Sequence, residues 1–203
     1  MIQVLAGVNG AGKSSILGEG FRRAGGEYFN PDEVARAIQK GDESLSLADA
    51  NGLAWERGFK LLNDAIDEDK NYTFETTLGG NSVCKALHRA VDNGIRVEIW
   101  FCGLKSPELH IERVAARVAK GGHDIPEHKI RERWTGSLTN MISLIPRVYM
   151  VKVFDNSAPL RDGKPDPVQI FHLENNELVA HPTAETPRWA KPLAHEAILA
   201  AAR

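Results

Sequence analysis

The sequence predicts an α/β fold built on a mostly parallel, five-stranded sheet flanked by helices, with a C-terminal hairpin and helix. Short apolar runs alternate with segments of helical periodicity along most of the chain, which is typical of βαβ units. A glycine-rich turn separates the first apolar run from the first helical segment. Because the 203 residues contain no low-complexity linker and no internal repeat, we expect one domain over residues 1–203.

Five apolar runs are predicted as the strands of this sheet. They cover residues 2–6, 27–29, 72–74, 95–102 and 148–154. A hairpin is predicted further on, because Asn175 and Asn176 tolerate the left-handed backbone angles of a tight turn. The flanking hairpin strands are residues 168–173 and 178–180.

Helical periodicity predicts the elements between the strands. Residues at helical spacing predict one long helix, and they are Ala48, Gly52, Trp55, Phe59, Leu62 and Ile66. The aromatic residues of this helix are expected in the core. Ser106 can cap a second helix that begins at Pro107, and a third begins near Pro126. A terminal helix closes the chain at residues 200–203 and belongs to a C-terminal extension of about 159–203.

Gly7 to Ser14 fit the pattern G-x-x-x-x-G-K-[ST] of a P-loop. The pattern stands between a strand and a helix, where curled backbone N–H groups and a helix N-terminus meet a polyphosphate. Lys13 is expected to reach the β- and γ-phosphates of ATP. The Ser14 hydroxyl is expected to bind a Mg²⁺ ion that bridges the same phosphates.

Composition limits the kinds of ligand and partner that we expect for this chain. A formal charge of −2 gives no global basic field for nucleic acid, so we expect a small-molecule ligand and no nucleic acid. Cys84 and Cys102 lack metal-site spacing and are expected to be buried thiols in a reducing compartment. Met1 leads directly into a strand and no apolar run approaches membrane-spanning length, so a cytoplasmic protein without a membrane partner is expected.

Two carboxylates follow predicted strands at the edge where ligands bind to parallel sheets. Asp32 follows the second predicted strand, and it either accepts a proton from a substrate hydroxyl or favours the positive end of the next helix. Glu75 ends the third strand and is expected to orient substrate hydroxyls or to hold a Mg²⁺-bound water.

A basic helical face follows the fourth strand. Arg113, Arg117 and Lys120 recur at i, i+4 and i+7 and precede a glycine pair at residues 121–122, as expected for a lid-like segment of about 106–135. Arginines so placed stabilise the migrating phosphoryl group, whereas the alternative is a solvated basic face. Three further cations follow, namely Lys129, Arg131 and Arg133. The sequence favours equally two positions for their side chains, closed over the phosphates or exposed at the surface.

The order of these motifs resembles the zeta toxin family of P-loop kinases over most of residues 1–157. The resemblance rests on the loop from Gly7 to Ser15, on Asn30-Pro31-Asp32-Glu33, on Phe74-Glu75-Thr76, on Ile111-Glu112-Arg113 and on Phe154-Asp155-Asn156-Ser157. It implies an adenylate-kinase-like P-loop NTPase fold, ATP and Mg²⁺ as cofactors, and phosphorylation of UDP-N-acetylsugars, with an antitoxin as protein partner. It also implies that Asp32 is the general base, Glu75 a substrate-positioning acid and Arg113 a phosphate clamp. The nucleotide-binding residues would be Gly7, Asn9, Gly10, Ala11, Gly12, Lys13, Ser14, Ser15 and, beside the adenine, Asn156.

The chain departs from the zeta toxins in its lid, where a second arginine is expected. Arg117, His123 or Arg131 takes that role. The leading hypothesis is an ATP- and Mg²⁺-dependent kinase with an alcohol acceptor. A nucleotide-dependent ATPase or interaction module without a small-molecule acceptor is the alternative. A polynucleotide kinase is disfavoured because the chain lacks an extended basic and aromatic track.

Overall fold

Six strands lie in one sheet in the computed structural model, which describes residues 1–161 and 165–203. In chain order they are β1 (Ile2–Ala6), β2 (Tyr72–Thr76), β3 (Val97–Gly103), β4 (Met150–Asp155), β5 (Val168–Glu174) and β6 (Glu177–Ala180). Across the sheet the order is β2-β1-β3-β4-β5-β6. The strands β2, β1, β3 and β4 run parallel to one another. The pairs β4–β5 and β5–β6 are antiparallel. The carboxyl ends of four strands therefore meet at one edge.

Helices connect the parallel strands and cover the sheet. A π-helical turn, Ser14–Gly18, runs directly into the short helix α1 (Glu19–Arg23). The others are α2 (Pro31–Gly41), α3 (Leu47–Asp67), α4 (Asn81–Asp92), α5 (Pro107–Val118), α6 (Glu127–Leu144) and α7 (Lys191–Ala201). Side-chain caps begin three of them: Asn30 for α2, Ser46 for α3 and, as the sequence predicts, Ser106 for α5.

The predicted mostly parallel α/β sheet is confirmed, but the predicted strand at 27–29 is wrong. Phe29 forms only an isolated parallel bridge to Phe74. The side chain of the next residue, Asn30, already accepts hydrogen bonds from the first turn of α2, and Pro31 begins that helix. The segment therefore turns away from the sheet after one bridge. The sheet still has six strands rather than five, because both strands of the predicted hairpin join it.

The C-terminal segment completes the main core. Asn175 and Asn176 adopt φ values of 50° and 61°, the left-handed conformation predicted for the hairpin turn. Phe171 of β5 and Leu193 of α7 are fully buried in the same apolar cluster as Val4 of β1. Residues 162–164 of the predicted C-terminal extension lie outside the described residues. Within the described ranges, no helix is both long enough and apolar enough to cross a membrane.

The long helix α3 corrects a second expectation. It spans Leu47–Asp67, close to the predicted range, but its aromatic residues are not all in the core. Trp55 is 49% exposed and stacks on Phe59 with 5.2 Å between ring centroids. Small and aliphatic side chains of α3 face the core instead, including Ala54 and Leu62. The two aromatic rings are thereby left beside the ligand-binding edge of the sheet.

Candidate functional site

The P-loop follows β1 and requires its glycines. Gly7, Gly10 and Gly12 have φ values of 142°, 82° and 91°, in the region that L side chains rarely adopt. A Cβ atom at Gly7 would lie 2.1 Å from the carbonyl oxygen of Cys102 on β3. The loop therefore packs against β3 at a distance that only glycine permits.

Buried groups hold the P-loop from behind. The carbonyl oxygen of Ala11 accepts a hydrogen bond from Nδ2 of Asn156 at 2.9 Å and another from the thiol of Cys102 at 3.2 Å. On the other side, Nδ1 of His110 on α5 contacts the carbonyl oxygen of Asn9 at 2.8 Å. In this structure Asn156 therefore positions the loop, and its predicted contact with the adenine stays a prediction.

Glu75 joins the two side chains that a P-loop uses for phosphate and metal. Its carboxylate lies 3.6 Å from Nζ of Lys13 and accepts a hydrogen bond of 2.9 Å from Oγ of Ser14. Nδ2 of Asn30 lies 3.4 Å from the same carboxylate. Because the side chains of Lys13 and Glu75 are only 7% and 8% exposed, the pair is shielded from solvent. The sequence thus placed Glu75 at the correct edge, and the structure brings it to the centre of the site.

The loop after Glu75 is held in a strained conformation. Leu78 has φ of 52°, which is uncommon for a residue other than glycine, asparagine or aspartate. The side-chain amide of Asn140 on α6 donates to the carbonyl oxygens of Leu78 and Gly80 at 2.9 and 3.1 Å. This contact fixes the end of β2, and with it Glu75, against α6.

Asp32 lies in the first turn of α2, and its backbone N–H donates to Oδ1 of Asn30 at 2.9 Å. Both hypotheses from the sequence are compatible with this position, because the carboxylate is at a helix N-terminus and also borders open space. Two cavities of about 610 Å³ each adjoin it. Asp32, Asn51 and His123 line both cavities, so Asp32 stands where they meet.

The first cavity, which we call the acceptor cavity, contains the P-loop side chains Asn9 and Lys13 together with Glu75. Its apolar wall comes from α3, β2 and the segment before α2, namely Phe29, Trp55, Phe59, Leu62 and Phe74. Such a mixture of an apolar wall and a few convergent polar groups is typical of small-molecule sites.

The second cavity, which we call the basic groove, lies between α2 and α5. Arg113, Arg117 and Lys120 all line it. The two arginines share a face of α5 as predicted, whereas Lys120 lies just beyond the end of that helix at Val118. Arg113 donates to the carbonyl oxygen of Ala158 at 3.0 Å, and Arg117 donates to that of His123 at 2.7 Å. The arginines do not line the cavity that contains Lys13, and their role on the migrating phosphoryl group stays a prediction.

A family model described as an AAA domain matches residues 2–135, which include the P-loop, Asp32, Glu75 and α5. The chain belongs to this family. An uncharacterized protein of Haemophilus influenzae (strain ATCC 51907 / DSM 11121 / KW20 / Rd) is 30% identical over 135 residues, 63% of this chain and 88% of that protein. The narrower resemblance to zeta toxins stays a prediction.

Solved structures share the fold of this AAA domain. A chain in the crystal structure of AvrRxo1-ORF1:-ORF2 with ATP matches with a TM-score of 0.64 and 15% identity over 96% of this chain. The present chain spans 63% of the length of that chain. A structure of the PezAT chromosomal toxin–antitoxin system of Streptococcus pneumoniae matches with a TM-score of 0.52 and 14% identity, covering 81% of this chain and 70% of that one. These likenesses show a P-loop kinase-like fold.

Arg133 is a site residue that the sequence left undecided. Its NH1 donates to Oδ1 of Asn9 in the P-loop at 2.8 Å, and it lines the acceptor cavity. Burial lowers the pKa of its guanidinium, an effect that the nearby Asp32 opposes. Arg131 pairs with Glu108 on the outer surface instead. Residues two apart on a helix point about 200° from each other, so only the contacts decide which one faces inward.

His123 lies in the loop between α5 and α6. Its Nε2 is 3.4 Å from Nδ2 of Asn51, and its carbonyl oxygen binds Arg117. These contacts agree with a loop-stabilising residue that also borders both cavities.

His110 is a buried residue in contact with the P-loop that the sequence did not reveal, because a lone histidine in a helix carries no pattern. It is 1% exposed, and burial lowers its pKa to about 4. The neutral ring therefore donates its Nδ1 proton to Asn9 at neutral pH. Because the ring is neutral, it adds no positive charge beside the P-loop backbone.

His110 predicts a pH dependence of stability. Its pKa is lower in the folded protein than the usual 6.5, so the unfolded chain binds the extra proton first as pH falls. We expect the free energy of unfolding to fall by roughly 3 kcal/mol between pH 7 and pH 4 from this group. His110→Asn, which retains a donor for Asn9, should lose this component in urea titrations. An unchanged pH profile in the variant would contradict the assignment.

Proposed function

We propose that this AAA domain is an ATP- and Mg²⁺-dependent kinase that phosphorylates an alcohol group of a small molecule. One observation carries the proposal: the buried side chains of Lys13 and Glu75, the latter hydrogen-bonded to the exposed Ser14, line a cavity that Asp32 also lines. A phosphate-binding loop and a free carboxylate are thus combined with space for a second substrate. The AvrRxo1 structure with ATP, which shares the fold, supports a nucleotide as the donor.

The proposed reaction assigns a role to each of these groups. The acceptor hydroxyl oxygen attacks the γ-phosphorus of ATP, the bond from that phosphorus to the bridging oxygen breaks, and ADP leaves. Asp32 accepts the hydroxyl proton. Lys13 binds the β- and γ-phosphates, while Arg113 and Arg117 approach from the basic groove and stabilise the transferred group. Catalysis then consists of positioning and electrostatic stabilisation.

The residues present fit a Mg²⁺ ion that arrives with ATP. Oγ of Ser14 and the carboxylate of Glu75 are oxygen donors 2.9 Å apart, and Mg²⁺ prefers oxygen ligands with several retained waters. No group of three or more histidine, cysteine or acidic side chains forms a metal site in the described parts of the chain. A metal held mainly by phosphate oxygens and Ser14, with Glu75 orienting a bound water, suits this donor set. When bound, the ion neutralises charge on the phosphates.

The acceptor cavity supports a substrate with a flat or apolar part. Trp55 is exposed at its wall and stacks on Phe59, while Arg133 and Asp32 supply polar groups opposite. A volume of about 610 Å³ lies in the range of small-molecule sites. A UDP-N-acetylsugar, as in zeta toxins, is the acceptor that the sequence resemblance favours. The PezAT likeness makes an antitoxin-like protein the partner to be tested.

Transfer of label from ATP tests the proposal. Purified protein is incubated with γ-labelled ATP, Mg²⁺ and a metabolite extract supplemented with UDP-N-acetylsugars, and products are separated by mass. We expect a labelled phosphoester with the native chain and at least about a hundredfold less with Lys13→Ala. If no extract component gains label while a protein partner stimulates ATP hydrolysis, the chain is a nucleotide-dependent interaction module instead.

A further inference from the structure

Among the residues that the structure describes, four cations and one carboxylate line the basic groove. Arg36 comes from α2, Arg113 and Arg117 from α5, and Lys120 from the loop after α5, whereas Asp32 is the carboxylate. The groove has a volume of about 610 Å³. Like charges gathered around a concave surface create a local potential that attracts an anion of matching size.

None of these four cations forms an ion pair with a carboxylate in residues 1–161 and 165–203. Backbone carbonyl oxygens hold the arginines instead: Nε of Arg36 donates to Asp32 at 3.1 Å, and Arg117 donates to His123. Nε of Arg117 is buried without a partner among the described residues. Several other surface arginines do pair with carboxylates, as Arg22 does with Glu33 at 2.7 Å. The fold therefore orients the groove cations and leaves their charge uncompensated.

The groove is distinct from the phosphate site of the P-loop. Asn9 and Lys13 line the acceptor cavity only, and Arg36 and Lys120 line the groove only. Asp32 lies at the junction of the two spaces. A molecule with a hydroxyl at Asp32 can therefore place its body in the acceptor cavity and an anionic group in the groove.

We propose that the basic groove binds a phosphate group of the acceptor, with Arg36 and Lys120 as its binding residues. The inference rests on the proposed kinase function and adds to it which residues bind the phosphate of an acceptor that carries one, as a UDP-N-acetylsugar does. Guanidinium groups suit this ligand because their N–H donors match phosphate oxygens in pairs. Arg113 and Arg117 line the same groove and add to its positive charge.

Inorganic phosphate tests the groove without knowledge of the acceptor. The protein is saturated with AMPPNP and excess Mg²⁺, which fills the P-loop, and phosphate is then titrated by calorimetry. We expect Arg36→Gln/Lys120→Gln to weaken phosphate binding at least about tenfold and to leave AMPPNP affinity within about twofold. Lys40→Gln/Lys85→Gln removes two exposed cations that line neither cavity, and it should bind phosphate as the native chain does.

Each other outcome overturns the inference. Absence of phosphate binding in the native chain, or equal binding in both double variants and the native chain, leaves no specific anion site. A parallel loss of AMPPNP affinity in Arg36→Gln/Lys120→Gln assigns the groove to ATP. If AMPPNP fails to bind the native chain, the proposed kinase function fails, and phosphate titration of the nucleotide-free Lys13→Ala protein still decides whether the groove binds an anion.

Discussion

Replacing Asp32 by asparagine is expected to lower the rate of phosphoryl transfer by about 10²–10⁴-fold, the usual contribution of a positioned general base. Asparagine has the same shape but accepts no proton from the acceptor hydroxyl. The first turn of α2 should persist, because Asn30 caps it through its own side chain. Binding of Mg-AMPPNP, measured by calorimetry, should therefore stay within about threefold of the native value.

Glu33 supplies the matched control. It follows Asp32 in the same helical turn and pairs with Arg22 on the surface, away from both cavities. Glu33→Gln should retain the native turnover, since an exposed ion pair contributes only about 0–1 kcal/mol to stability. Turnover by Asp32→Asn at the native rate would show that another group takes the proton and that Asp32 serves the helix N-terminus alone.

Replacing Glu75 by glutamine is expected to destabilise the nucleotide-free protein by roughly 3–5 kcal/mol, because it leaves the buried Lys13 ammonium without its counter-charge. Saturating Mg-ATP should reduce this loss, since phosphate oxygens then neutralise Lys13. Urea unfolding with and without Mg-AMPPNP measures both values. Turnover should also fall by at least about 100-fold, because the side chain that positions Ser14 has lost its charge.

Asp64 gives a control for the loss of one carboxylate. It pairs with Lys60 one helical turn away on the exposed face of α3, at 2.6 Å. Asp64→Asn should change the free energy of unfolding by no more than about 0.5 kcal/mol. If Glu75→Gln behaves like Asp64→Asn, the carboxylate does not compensate Lys13 in solution, and the proposed centre of the site is wrong.

The sequence was sufficient for the parts of this site that depend on local chemistry. The P-loop pattern predicts its own backbone conformation, because the φ values at Gly7, Gly10 and Gly12 exclude most other residues. Glu75 was located by its place at the end of a strand, and Asp32 by its place after the run at 27–29, which forms only one bridge to the sheet. The distance between Lys13 and Glu75 was not predictable, because it depends on the register of β1 against β2.

Other features required tertiary contacts. The run at 27–29 has strand-like composition, yet capping of α2 by Asn30 ends its pairing after Phe29. The helical period of α3 predicted the helix. It did not predict that Trp55 is largely exposed, because exposure depends on which other elements cover that side chain. Arg133 and His110 contact Asn9 from helices far along the chain, and no local pattern distinguishes such residues from ordinary surface or core positions.

The contact between Glu75 and Lys13 makes nucleotide entry an exchange of counter-ions. A monovalent anion from the medium that approaches Lys13 must compete with a carboxylate already anchored by Ser14 and Asn30. A triphosphate that brings its own divalent metal changes that balance, because the metal takes over Ser14 while the phosphates take over the lysine. If the proposed function holds, this contact would disfavour chloride and simple oxyanions in the nucleotide-free protein, and selectivity for metal-loaded nucleotide would begin before any adenine contact forms.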